Sequence, residues 1–196
     1  MICFVNRSYS KKSERNGAEQ KIGSPFTTLT VRPRPGRPSQ GLINIDGTVF
    51  PCALGRGGIS ANKREGDGAT PLASMRLLSG YIRRGRFATR SPLTLKAISP
   101  DLGWCEVPDD RNYNRPVEIP YGASHERMKR DDNLYDAVIV LDWNIRPRRR
   151  GRGSAIFFHL ARPGFTPTQG CVAVTHAVMA RLLPRLSRQT TLRVAR

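Results

Sequence analysis

The sequence is short of lysine, of acids and of histidine. Of its 33 basic residues six are lysines, at 11, 12, 21, 63, 96 and 129, and the other 27 are arginines; only 15 residues are acidic and three are histidines. Few acids against many guanidiniums leave a formal charge of +18, so an anionic partner, a nucleic acid or a carboxylate-rich polymer, is favoured. Cysteine is also sparse: Cys3, Cys52, Cys105 and Cys171. No two cysteines form C-x-x-C and no Cys/His cluster has zinc-ligand spacing, which excludes a metal-stapled scaffold and leaves no metal site to propose. A disulfide framework is not expected at this size; Cys52 and Cys105 are either one bridge or two small buried apolar side chains. No apolar run is long enough for a membrane-spanning helix. The opening Met-Ile-Cys-Phe-Val turns polar at once, too soon for the apolar centre of a signal peptide, so no export signal is expected.

What is present is glycine and proline, 18 and 15, spread over 196 residues. That spacing predicts many turns and short strands rather than long helices. Residues 1–25 read as a polar disordered tail and 26–196 as one domain. Within it TTLTVR (27–32) alternates like a strand, and PRPGRPSQG (33–41) reads as a loop. LINIDGTVFPCAL (42–54) reads as a hairpin turning at Asp46-Gly47. SMRLLSGYIR (74–83) is strand-like with a bend at Gly80, and the stretch from Arg84 to about Asn133 is loop-like. DAVIVLDWN (136–144) and SAIFFHL (154–160) are buried strands, separated by the basic loop IRPRRRGRG. THAVMARLLPRL (175–186) has helical spacing, with Val178, Leu182, Leu183 and Leu186 on one face and Pro184 as an interruption; TTLRVAR (190–196) is again strand-like.

Chemistry concentrates near residue 171. Cys171 follows Thr168-Gln169-Gly170 and precedes an apolar run. Gly170 leaves the backbone beside the sulfur uncrowded, so that a substrate carbonyl can approach and backbone N–H groups can face its oxygen. His159 lies twelve positions upstream (171 − 159) at the end of an aromatic strand. An imidazole that removes the thiol proton makes a cysteine nucleophilic. Spacing alone leaves a second reading open: a structural cysteine beside a histidine that caps a strand. Tyr113, Asn114 and Arg115, with His125, are weaker candidates for lining a cleft, against a loop that packs on itself. His125 and His176 read as surface histidines, Asp142 as a strand-end carboxylate, and the 146–152 run as either a polyanion contact or a solvated loop.

FFHL, a Pro/Gly loop, TQGCVAV and a following short helix resemble the catalytic segment of the L,D-transpeptidase (YkuD-like) family, in which a His and a loop precede Ser/Thr-His-Gly-Cys. Thr168, Gly170 and Cys171 match that pattern. Gln169 stands in the place of its His, Ala173 in the place of a frequent Arg or Asn, and the loop is shorter. GDGATPLA (66–73) resembles the family's Gly-x-x-x-Thr-Pro-x-Gly turn, with Ala73 for the last Gly. The resemblance implies a mainly β, sandwich-like catalytic domain with one or two short helices, one of them after the cysteine. It implies Cys171 as nucleophile, His159 as base, Gly170 and Cys171 as oxyanion donors, and Thr168 and Gln169 near the substrate. It also implies peptidoglycan stem peptides as the partner, no cofactor, no obligatory nucleic acid, a monomer, and a place in the periplasm or cell wall. A hydrolase on the same substrate and a basic nucleic-acid-binding protein are the alternatives; against the latter, no recognised binding module occurs in the chain.

Overall fold

The computed structural model describes residues 23–87 and 91–196. Residues 1–22 of the expected tail lie outside the described residues. Phe26 is the first described side chain to be buried: its N–H donates to the Arg185 carbonyl at 3.0 Å and its ring lies 3.9 Å from the Arg185 guanidinium.

β1 (Thr28–Arg34) and β2 (Arg37–Ile45) form a hairpin that turns at Pro35-Gly36 and pairs Arg34 with Arg37. The expected loop 33–41 is thereby corrected, because strand continues through Arg37–Gly41. Gly41 permits this: a Cβ there would stand 2.9 Å from both the Arg32 carbonyl and the Cys52 sulfur. β3 (Thr48–Ala53) returns from β2 with Ile45 opposite Thr48. Asp46 and Gly47 both take positive φ, 46° and 85°, the turn that the Asp-Gly pair favours between twisted strands. β4 (Ile59–Ser60) and β5 (Thr70–Pro71) are a short parallel pair. β6 (Ser74–Ile82) is flanked by β7 (Leu95–Ala97). The register of β6 against β11 shifts at Leu78, two residues before Gly80. Gly80 lets its neighbours close in, since a Cβ there would meet Leu95, Ile139 and the Val138 carbonyl within 2.8 Å.

The stretch expected to be loop-like contains a three-stranded sheet: β8 (Leu102–Cys105) between β9 (Pro116–Glu118) and β10 (His125–Arg127). Strands of three or four residues are too short to show a period in sequence. The C-terminal third follows expectation more closely, with β11 (Ala137–Leu141), β12 (Phe157–Leu160), β13 (Val172–Val174), α1 (His176–Leu182) and β14 (Thr191–Val194). Thr175 caps α1 by accepting from the Val178 N–H, and Pro184 turns the end of the helix into a short 3-10 segment.

β11 bonds both β12 and β6, so the main sheet, in the order β11-β12-β13-β3-β2-β1-β14-β6, closes on itself, with β7 beside β6. The fold is mainly β and sandwich-like, with two cores. One lies inside the closed sheet, where Leu29, Ile43, Leu77, Ile139, Phe158 and Val172 meet Val178, Leu182, Leu183 and Leu186 from the helical segment. The other lies on the outer face of β11 and β12, where Val138, Val140 and Phe157 pack against Trp104, Met128 and Tyr135. Alternation along a strand sends Phe157 and Phe158 to opposite cores. Each phenyl ring is fully buried and contributes about 2–3 kcal/mol of apolar transfer energy. Two-sided burial is why these strands read as unbroken apolar runs. Cys52 and Cys105 are free and buried rather than bridged.

Candidate active site

β12 and β13 run parallel with His159 opposite Ala173. Cys171 immediately precedes β13, so His159 and Cys171 fall on one face, the outer one, as diagonal neighbours. Strand spacing and rise put their Cα atoms about 8 Å apart. Both side chains line a cavity of about 380 Å³, bordered by Gly66 of the 66–73 turn and by Tyr135, Ala155, Thr168 and Gln169.

The backbone around the thiol is closely specified. Gly170 has φ +131°, and a Cβ on it would stand 2.8 Å from the Ala69 carbonyl, so the residue before the nucleophile must lack a side chain for both reasons. The Thr168 hydroxyl donates to the Cys171 carbonyl at 2.7 Å and accepts from the Gly170 N–H at 3.1 Å. Thr168 also exchanges backbone bonds with Leu54 and Arg56, which tie the loop to the end of β3. The turn beneath is built on Asp67, whose carboxylate accepts from the Arg64 and Ala69 N–H groups and from the buried Lys63 ammonium.

Cys171 is 7% exposed. Its Sγ accepts from the Phe157 N–H at 3.3 Å and its thiol donates to the Ala155 carbonyl at 3.2 Å. Burial pushes the thiol up to about 12, against the lowering effect of the Phe157 N–H. His159 is 5% exposed, and its Nδ1 is held 2.8 Å from the Leu160 carbonyl. A carbonyl only accepts, so Nδ1 carries the proton and Nε2 is the free base of the neutral ring. Burial lowers its pKa to about 4, outweighing the Leu160 hydrogen bond. The edge of the ring meets Tyr135, with centroids 5.2 Å apart. At rest, therefore, the pair is a neutral thiol and a neutral imidazole. Among the described residues no hydrogen bond joins them, the thiol being turned toward Ala155.

The other sequence candidates fall in different places. Gly170 donates its N–H to Thr168, whereas the Cys171 N–H has no partner among the described residues. Gln169 is exposed at the cavity rim and forms no hydrogen bond among the described residues, so the Leu160 carbonyl, not Gln169, orients His159. Tyr113, Asn114 and Arg115 do not line this cavity. Tyr113 is buried, with its hydroxyl on Glu65. Asn114 is buried as well: Oδ1 accepts from Trp104 Nε1 (2.9 Å) and the Ala155 N–H (3.1 Å), while Nδ2 donates to the Trp143 and Asn144 carbonyls. His125 sits on β10 against Tyr121, and His176 stacks on Phe87 at the start of α1. Asp142 accepts from the Arg76 backbone and pairs with its guanidinium.

Three features of the site are not legible in the sequence. Ala155, whose carbonyl faces the sulfur, holds a left-handed φ of +50°, rare for alanine; nothing in its neighbours signals it. Tyr135 and the Leu160 carbonyl enclose His159. Glu126, Arg130 and Arg162 give the cavity charges of both signs. Arg130 pairs with Glu126 at 3.0 Å and with Asp132 at 2.8 Å.

Neither the curated proteins nor the solved structures compared with the chain include a match. The family profile described as the YkuD L,D-transpeptidase catalytic domain matches residues 40–194, which span both the 66–73 turn and the His159–Cys171 segment. With that match over most of its length, the chain belongs to the L,D-transpeptidase (YkuD) family.

Proposed function

We propose that this protein is a cysteine-dependent L,D-transpeptidase acting on peptidoglycan stem peptides. The observation that carries this reading is the placement of His159 and Cys171 on one sheet face, at one cavity, with Nδ1 of the histidine committed to a carbonyl and Nε2 left as base.

In the proposed reaction the thiol turns from the Ala155 carbonyl toward His159 and gives its proton to Nε2 as Sγ attacks the carbonyl carbon after the third stem residue. Proton transfer accompanies attack, since a thiol held near 12 is not ionised beforehand. The Cys171 N–H is the donor available to the developing oxyanion. Collapse breaks the C–N bond, and the imidazolium protonates the departing D-alanine amine. This leaves a thioester on Cys171. An amine of a second stem, deprotonated by His159, attacks the thioester, forms the amide crosslink and returns the thiol. If water takes the place of that amine, the same site is a carboxypeptidase. The family resemblance supports action in the periplasm or cell wall, in peptidoglycan synthesis and cell-wall organisation.

Intact-mass analysis of the protein after exposure to a carbapenem, a drug class that acylates this family, tests the reading. One adduct is expected, absent from Cys171→Ala and present in Cys52→Ala and Cys105→Ala. An adduct that persists in Cys171→Ala overturns the assignment. Incubation with a tetrapeptide stem and an amine acceptor then separates crosslink from hydrolysis.

A further inference from the structure

A second cavity, of about 320 Å³, lies on the same outer face and is lined by Arg115, Arg146 and Arg148 together with Ser79 and Tyr81 over an apolar floor. No lining residue is acidic, and among the described residues none of the three arginines forms an ion pair. Elsewhere a cation this close to the protein body has a carboxylate beside it, as Lys63 has Asp67 and Arg83 has Asp136. Arg148 is anchored, one terminal nitrogen donating to the Tyr113 carbonyl at 2.7 Å, yet its Nε is buried without a partner. Burial, and after it the charge of neighbouring Arg115, hold Arg148 below the usual guanidinium range. Like charges gathered around a concavity, with a buried donor unmet, cost free energy in the empty state and lower the cost of admitting an anion. Guanidinium forks suit the paired oxygens of carboxylate and phosphate.

We propose that this cavity is an oxyanion-binding site, in which Arg115, Arg146 and Arg148 take a carboxylate or phosphate group. It is separate from the Cys171 cavity but adjoins it through Asn114, which lines the one and holds Ala155 in the other. It does not depend on the catalytic reading, and its test reads binding rather than turnover.

Isothermal titration of the full chain is run with inorganic phosphate in one arm and succinate in the other. Saturation of a single site is expected in at least one arm, and the arm that saturates identifies the group. Arg115→Gln combined with Arg146→Gln should weaken it about tenfold, the loss of charge-assisted hydrogen bonds. Both residues are exposed, so the fold should survive, which an unchanged melting temperature without anion would verify. Arg149→Gln with Arg150→Gln removes the same charge from the loop that carries Arg146, but outside the cavity, and should leave affinity within about twofold. Failure to saturate in both arms, or equal weakening in the two double variants, overturns the proposal.

Discussion

Burial holds Cys171 as a thiol and His159 as a neutral imidazole, and both states have measurable consequences. The histidine's folded pKa of about 4 lies below its ordinary value. Between about pH 6.5 and 4 the unfolded chain therefore binds a proton that the native one refuses. Stability should fall across that window as pH is lowered, by on the order of 3 kcal/mol from this group, and no further below it. Denaturant titrations across the window would show this slope, and His159→Gln should remove it. Catalysis should keep its base over the same range, so the acid limb of kcat/KM in the free enzyme should fall near pH 4 to 5. A limb at 6.5 would mean an open imidazole. His159→Ala should cost about 10²- to 10⁴-fold in acylation, far more than loss of His125 or His176. Asn114 acts through Ala155. Asn114→Ala leaves the buried Trp104 and Ala155 N–H groups unpaired and frees the carbonyl that faces the thiol. The expected results are a stability loss of about 2–3 kcal/mol by denaturation and slower carbapenem acylation, with Asn114→Asp recovering part of both.

At the scale of elements, the site is a parallel strand pair with a tight loop beneath it. The buried apolar runs 136–144 and 154–160, the Asp46-Gly47 hairpin and the helix after Cys171 were legible, because each carries a period, a turn pair or a cap that acts locally. His159 and Cys171 were legible as types and as a spacing. Their common face was not, because it follows from the β12–β13 register, and register is a long-range property. Asn114 shows the same limit from the other side: its type fits a cleft or a loop packed on itself, and which of its neighbours take its four hydrogen bonds is again a long-range property. β8, β9 and β10 escaped because strands of three or four residues have no readable alternation. The 63–70 turn carries its own test. Lys63→Met removes the buried partner of the partly exposed Asp67 and should lower stability by about 1–2 kcal/mol. If Asp67 fixes the floor under Gly170, the same variant should slow acylation without changing which cysteine is labelled.

At the scale of the molecule, 33 basic residues against 15 acids make the surface a cation. If that surface gathers an anionic wall polymer, binding to isolated peptidoglycan should weaken steeply between about 50 and 500 mM salt as exposed charges are screened. Binding indifferent to salt would point to contacts inside the cavities. The closed sheet has another consequence, for how the protein comes to exist at all. β14 lies between β1 and β6, bonded in parallel to a strand more than 150 residues earlier. The ring thus remains open until residues 191–194 have left the ribosome. During synthesis β1 and β6 wait with bare edges, and the apolar residues meant for the interior wait with them. Assembly is then bound to be late and all at once rather than progressive, and slow, because the contact that closes the ring joins strands more than 150 residues apart.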